Sequence, residues 1–338
     1  MTLDSVKRVT MRDIAQAANV PVSSVALALN NKPGVSATRR DAVLAAAKSM
    51  GYLQNRAPRS PVLGLLVEDL RREAKLDGFI DSIVQGVYAE ARALDLHVIL
   101  SVYHPQDDPL ARLRELTGRD IDGMILTNGG DITTDVVQRI LAADTPAVLV
   151  ENYVTLPVDA VVADNFNAGF TCTRHLIELG HTRIALLSGS PRYISLTDRA
   201  RGHVAALWES GIELSHELMP PQPDSSAQKG YLQTSQLLDL PNPPTAIYAV
   251  SDASARGAYQ AILERGLRIG VDVSVVGTDN VEESAFRSPP LTTFDVRARA
   301  LGEEAVRVIS GRLSASRDVA RITVPGSLIL RSSSAPPF

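Results

Sequence analysis

The chain is poor in the residues from which many catalytic and metal sites are built. Its 338 residues include one cysteine, Cys172, and one tryptophan, Trp208, and aromatic residues make up 4%. A single cysteine closes no intramolecular disulfide and supplies no cysteine-rich zinc site, so Cys172 reads as a packing residue. The six histidines, His97, His104, His175, His181, His203 and His216, show no metal-ligand spacing. No serine occupies a G-x-S-x-G elbow and no phosphate loop is present, which removes the commonest nucleophilic and phosphate-handling chemistries. No apolar run approaches the roughly 18 residues of a membrane-spanning helix. The first eight residues also lack the apolar core of a signal peptide. The expectation is a cytoplasmic protein with no metal, no cofactor, no catalytic residue and no membrane contact.

What is present is enough apolar material, 45% of the residues, to fill two or three domain cores in a chain of this length. The formal net charge of −4 is unevenly spread. From Met1 to Ser60 nine Lys or Arg stand against three acids, a net +6 that leaves −10 on the remainder. A basic head on an acidic body suits a protein whose head alone meets phosphate.

That head has a helical grammar. Thr10 and Asp13 stand at the spacing of a helix start, with Ile14, Ala17 and Ala18 as an apolar stripe. Asn19 falls where the chain turns, and Asn is one of the few residues that enters the left-handed region readily. Pro21 is tolerated in a first helical turn, after which Val22, Val25, Ala26 and Leu29 recur at helical spacing. A turn cluster, Asn30-Asn31-Lys32-Pro33-Gly34, precedes a third helix capped by Ser36, carrying Val43, Leu44, Ala47 and Met50 and stopping at Gly51. Two helices joined by a short turn and braced by a third form a helix-turn-helix, whose second helix enters the DNA major groove.

From Val62 onward short β-branched runs alternate with helical stretches, the pattern of βαβ units. Strands are expected at Val62 to Val67, His97 to Val102, Met124 to Thr127, Ala147 to Val150, Val161 to Ala163, Ile184 to Ser188, Ala246 to Val250 and Val273 to Gly277. Two doubly wound halves leave a cleft, and ligands gather at the carboxyl ends of such strands.

Several segments resemble, in order, blocks of the LacI/GalR (lactose repressor) family of bacterial transcription regulators. They are the stretch from Thr10 to Tyr52, H-L-I-E-L-G-H-T-R-I-A-L-L-S-G from His175, R-A-R-G-H-V-A-A-L from Arg199, A-I-Y-A-V-S-D-A-S-A-R-G-A from Ala246, D-V-S-V-V-G-T-D-N from Asp272, P-P-L-T-T-F from Pro289 and P-G-S-L-I-L-R-S-S from Pro325. The resemblance implies an α/β chain: a small all-α helix-turn-helix headpiece followed by a two-lobed, periplasmic-binding-protein-like (type I) body of doubly wound parallel sheets. The boundaries it suggests are a DNA-binding domain at 1–55, a linker at 56–61 and an effector-binding and dimerisation domain at 62–338. Within the last, the first lobe covers about 62–164 and 295–321, and the second about 165–294 and 322–338. The implied function is repression from a pseudo-palindromic double-stranded operator by a homodimer, tuned by a small sugar-like effector.

The resemblance also distributes roles. Pro21 stands where the family has a serine cap, and Ala26-Leu27 replaces a Ser-Arg pair. Leu27 cannot make an arginine's bidentate contact to guanine, so base reading falls to Val22, Ser23 and thymine methyls. Thr10, Ser24 and Asn30 are placed against phosphate, with Arg56 and Arg59 in the linker. There Asn55 and Arg59 match the family's hinge pattern, but Pro58 and Pro61 depart from it, and Pro61 would interrupt a short helix.

Effector contacts are expected from strand ends, at Asp69, Glu151, Ser251 and Asp279, from Arg199, and from Phe79 and Tyr193 as stacking surfaces. Asp252 is read as the cap of a helix beginning at Ala253, and Trp208 as core. Carboxylates beside an arginine suit polyhydroxylated ligands, since each carboxylate accepts two hydroxyl hydrogen bonds. Two other classes share parts of this pattern. A solute-binding protein would have the body but not the basic head, and an enzyme using Glu151 and Asp279 as acid and base lacks an accompanying nucleophile.

Overall fold

The computed structural model describes residues 9–29, 34–50, 52, 60–68, 78–117, 120–127, 130, 132–152, 154–221, 228–315 and 318–337. The chain divides into two compact units, Met1–Ser60 and Pro61–Phe338.

The first unit holds α1 (Met11–Ala17), α2 (Val22–Leu29) and α3 (Ala37–Ser49). A reciprocal cap starts α1. The Asp13 amide donates to the Thr10 hydroxyl at 3.4 Å, and the Thr10 amide donates to the Asp13 carboxylate at 2.7 Å. Two amides that a helix start leaves unpaired are thereby satisfied. Asn19 takes the left-handed conformation, φ 51°, as the turn requires. Pro21 sits just ahead of α2, and its carbonyl accepts from the Ser24 and Val25 amides at 2.9 and 3.3 Å. Ser36 occupies the cap position of α3, but its hydroxyl makes no capping hydrogen bond, against the sequence expectation. Helices this short are marginal alone. Ile14, Ala15, Val25, Ala28, Val43 and Ala47 bury their apolar faces in a common core.

The second unit contains β1 (Val62–Glu68), α4 (Gly78–Ala93), β2 (His97–Tyr103), α5 (Pro109–Thr117), β3 (Gly123–Thr127), α6 (Thr134–Ala142), β4 (Ala147–Val150), β5 (Asp159–Ala163) and α7 (Asn165–Glu178). It continues with β6 (Ile184–Leu187), α8 (Ile194–Glu209), α9 (Lys229–Leu238), β7 (Ala246–Ala249), α10 (Asp252–Glu264), β8 (Ser274–Thr278), α11 (Glu282–Ala285), β9 (Thr292–Asp295), α12 (Ala298–Ser314), β10 (Arg321–Val324) and β11 (Ser327–Ile329). Six strands form a parallel sheet in the order β10-β5-β4-β3-β1-β2, and five form a second sheet ordered β11-β9-β8-β7-β6. Helices on both faces of each sheet explain why β1, β3, β4, β6, β7 and β8 are buried along their whole length. One apolar cluster runs through both lobes, from Leu63, Ile83 and Leu301 to Leu176, Leu186 and Tyr248.

The structure of the second unit also differs from the sequence expectation in its strands, a lobe crossing, a helix start and the setting of Trp208. Strands β9, β10 and β11 went unpredicted, and β11 lies antiparallel to β9. Because β10 pairs with β5 in the first sheet, the last crossing between lobes falls between Val324 and Ser327 rather than at Arg321. Helix α8 begins at Ile194, whereas the sequence pattern alone marks a helix from Ala200 to Ser210. Trp208 is 80% exposed, because α8 turns Gly202, His203, Ala206 and Leu207 inward.

Helices α7 and α8 approach so closely that a Cβ on Gly169 would overlap the Arg199 carbonyl, and one on Gly202 would overlap that of Phe166. Gly169→Ala is therefore expected to lower stability by at least the ~1–3 kcal/mol typical of overpacking, read as a reduced urea midpoint. An unchanged midpoint would show that the pair can separate freely.

Candidate functional site

On the first unit, α2 turns Val25 and Ala28 into the core and leaves Pro21, Val22 and Ser23 exposed at its start. Ser24 and Leu27 are half-buried, and Leu27 faces the turn at Gly34, so the exposed opening of α2 carries a β-branched methyl pair and a hydroxyl rather than a charge. Basic side chains flank it on neighbouring helices: Arg12 and Arg39 are exposed, and Arg40 donates to the Ala28 carbonyl at 3.5 Å. The Thr10 hydroxyl donates to Asp13 at 2.7 Å. Asn30, Arg56 and Arg59 lie outside the described residues, as does the linker through 53–59.

On the second unit, the ends of strands from both sheets converge on Arg199 in the second turn of α8. Its side chain is 2% exposed. Nε donates to Asn165 Oδ1 at 2.8 Å, while Nη1 donates to the Val250 carbonyl at 2.8 Å and to Asp279 Oδ1 at 2.7 Å. Nη2 has no hydrogen-bond partner among the described residues. Asn165, the first residue of α7, turns its amide nitrogen toward the other lobe and donates to Glu151 Oε2 at 3.1 Å. The other Glu151 oxygen takes the Ala163 amide. Glu151–Asn165–Arg199–Asp279 is thus one buried chain of hydrogen bonds from the end of β4 in the first lobe to the end of β8 in the second.

Electrostatics follow from burial. Desolvation raises the Glu151 pKa, opposed chiefly by the Arg199 charge. Desolvation opposes the charged form of Arg199, but Asp279 and Glu151 outweigh it and hold the guanidinium charged. Asp279 has φ 125° and Asn280 φ 54°, a sparsely populated backbone at the point where the carboxylate meets Arg199. Behind this pair Thr278 and Tyr248 share a hydrogen bond at 3.0 Å, and the Tyr248 ring stacks on His203. Burial lowers the His203 pKa to about 3, so this layer stays neutral.

Glu151, Arg199 and Asp279 are brought together; the other expected contacts divide. Ser251, not Asp252, caps α10: its hydroxyl accepts from the Ser254 amide at 3.2 Å and donates to the Ser254 hydroxyl at 3.1 Å, which commits it to the helix. Asp252 is the first residue of α10 and accepts from the Val281 amide and the Ser284 and Thr293 hydroxyls at 3.1, 2.7 and 2.6 Å. Burial outweighs these donors and lifts its pKa to about 6. Phe79 packs partly buried against the shared core. Tyr193 lies ahead of α8 with its hydroxyl beside Gly130. Asp69 lies outside the described residues, but its neighbour Glu68 is buried at the end of β1. Asn165 and Glu68 were both missed from sequence. Among the described residues no group of three side chains could hold a metal ion, and no helix is long and apolar enough to cross a membrane.

Comparison with known proteins covers both units. Residues 60–328 match the family described as periplasmic binding proteins and sugar binding domain of LacI family, and residues 10–55 match bacterial regulatory proteins, lacI family. The Lactose operon repressor of Escherichia coli (strain K12) is 30% identical over 308 residues, 89% of this chain and 83% of that protein. The structure of the transcriptional regulator CelR–cellobiose complex aligns with a TM-score of 0.72 at 26% identity, covering 96% of this chain and all of that one. A lac repressor dimer bound to operator and the anti-inducer ONPF aligns with a TM-score of 0.71 at 27% identity, covering 97% and 100%.

Arg199 holds the site together electrostatically. Arg199→Ala would strand two buried carboxylates and is expected to cost about 3–5 kcal/mol of unfolding free energy, measured by urea titration. A loss below about 1 kcal/mol would mean that Glu151 and Asp279 do not depend on it.

Proposed function

The chain belongs to the lacI family of bacterial regulatory proteins, and from that premise we propose how this member reads DNA and takes its effector. It is a transcription regulator of the repressor type, with a DNA-binding head and a sugar-binding-type body, and not an enzyme. In the proposed reading, residues 1–55 form the head, 56–61 the linker and the remainder the effector domain. The opening of α2 enters the major groove. Val22 meets thymine methyls and Ser23 a base edge, while Ser24 and Thr10 lie toward phosphate. Asn30, Arg56 and Arg59 keep the phosphate-side roles that the family resemblance gives them.

The effector reading rests on one observation above the others: a charged, almost fully buried guanidinium with three fixed partners and one nitrogen, Nη2, left over, flanked by the carboxylates of Asp279 and Glu151. A neutral polyol suits that set, because its hydroxyls both accept from Nη2 and donate to carboxylate without adding charge. Cellobiose, named in the similar CelR complex, is a ligand of this class. Asp69, Phe79, Tyr193 and Ser251 complete the proposed lining, Ser251 as a buried residue just past the end of β7 whose hydroxyl already holds the start of α10.

The protein acts as a homodimer, since one helix per half-site carries too little specificity; the similar lac repressor dimer on its operator supports this. The cytoplasm is the compartment in which such a dimer meets both operator and metabolite.

Fluorescence anisotropy with DNA from upstream of its own and neighbouring genes is expected to show palindrome-preferring, salt-sensitive binding. Val22→Ala should weaken the specific complex roughly tenfold, as loss of a base contact costs about 1–3 kcal/mol. Binding without palindrome preference, or a Val22→Ala protein that binds as well as the parent, would contradict the assignment.

A further inference from the structure

A second cluster spans the cleft away from Arg199. Glu68, the last residue of β1, is 3% exposed, and its Oε2 accepts the Gly130 amide at 3.2 Å. Both residues belong to the first lobe. From the second lobe, immediately ahead of α8, Arg192 brings Nη2 to 3.9 Å from Glu68 Oε1. Tyr193 brings its hydroxyl to 2.8 Å from the position that a Cβ on Gly130 would occupy, and that same Cβ would overlap Glu68 Oε1. At Gly130 the phenol and the carboxylate both close on the backbone, and a side chain there would hold them apart.

We propose that Glu68, Gly130, Arg192 and Tyr193 form a latch across the cleft that holds the two lobes together before an effector arrives. The geometry needs both lobes: Glu68 ends β1 of the first sheet and Gly130 lies three residues past β3 of the same sheet, while Arg192 and Tyr193 lie on the segment leading into α8 of the second lobe. A carboxylate as buried as Glu68 requires compensation, to which the Gly130 amide contributes. Arg192 adds an opposite charge as long as the lobes stay closed. When they part, the Arg192–Glu68 ion pair is lost and Glu68 regains water, so the gain and the loss offset each other in part. A small difference is what allows a ligand to shift the population by its differential affinity. The Arg192 side chain is 52% exposed, so salt screens the ion pair and weakens the latch. This inference rests on the cleft being the effector site, but its test uses neither effector nor DNA, so either reading can fail without the other.

The test is a pulsed electron–electron distance measurement on the full chain, with spin labels on cysteines replacing exposed Glu115 on α5 and exposed Glu209 on α8. Cys172 is buried and stays unlabelled. The ligand-free parent is expected to give a short interlobe distance that lengthens as salt is raised. Arg192→Ala and Gly130→Ala should each shift the distribution to longer distances beyond the width of the parent's, and Arg192→Lys should keep the short distance. Identical distributions in the parent, Arg192→Ala and Gly130→Ala would overturn the proposal.

Discussion

A guanidinium taken out of water needs partners for its charge and its donors, and around Arg199 that requirement organises the junction between lobes. One nitrogen takes Asp279 and the Val250 carbonyl, another takes Asn165, and Asn165 in turn holds Glu151. The residues come from β4, α7, α8 and the ends of β7 and β8, so strand ends of both sheets are tied to one cation. The left-handed backbone at Asp279 and Asn280 persists because this pairing, together with the Asp252 carboxylate holding the Val281 amide and Ser284, fixes the loop from both sides. An effector that touches Nη2 or Asp279 meets a structure already connected to the crossing between lobes.

Helix packing supplies the rigidity that such a connection requires. The close approach of α7 to α8 at Gly169 and Gly202 has a counterpart in the first lobe. A Cβ on Gly86 of α4 would overlap the Arg299 carbonyl, and one on Gly302 of α12 would overlap that of Ile83. Each lobe therefore carries a helix pair locked at backbone contact, and motion is left to the crossings and the cleft. The three crossings, after β5, after β9 and between β10 and β11, are where a rotation of one lobe against the other must be absorbed.

The sequence was most legible where the physics is local. The reciprocal cap at Thr10 and Asp13, the left-handed Asn19 and the β-branched central strands were all readable from short windows. The missed strands β9, β10 and β11 have three or four residues each, and the first follows a proline pair, so they carry no periodic signal. Glu151 and Asp279 could be picked out as strand-end carboxylates and Arg199 from a block that resembles the family, but not the hydrogen bonds through Asn165 that join them. Asn165 read as part of a helix start, and its bridging role depends on a contact made across the lobe crossing. Glu68 was passed over for Asp69 because β1 is buried on both faces and shows no alternation to say which side chain points into the cleft. Helical periodicity put Trp208 on an amphipathic helix, but His203 and the small residues Gly202 and Ala206 take the inward face. Ser251 takes the cap position expected of Asp252 because either residue type caps a helix, and only the tertiary partners of Asp252 decide between them.

The central claim is that Glu151 and Asp279, on different lobes, belong to one network through Asn165 and Arg199. A double-mutant cycle of Glu151→Gln and Asp279→Asn, read by urea unfolding of the full chain, tests it most directly. The account predicts a coupling of about 1 kcal/mol or more, whereas additivity within about 0.5 kcal/mol would contradict it.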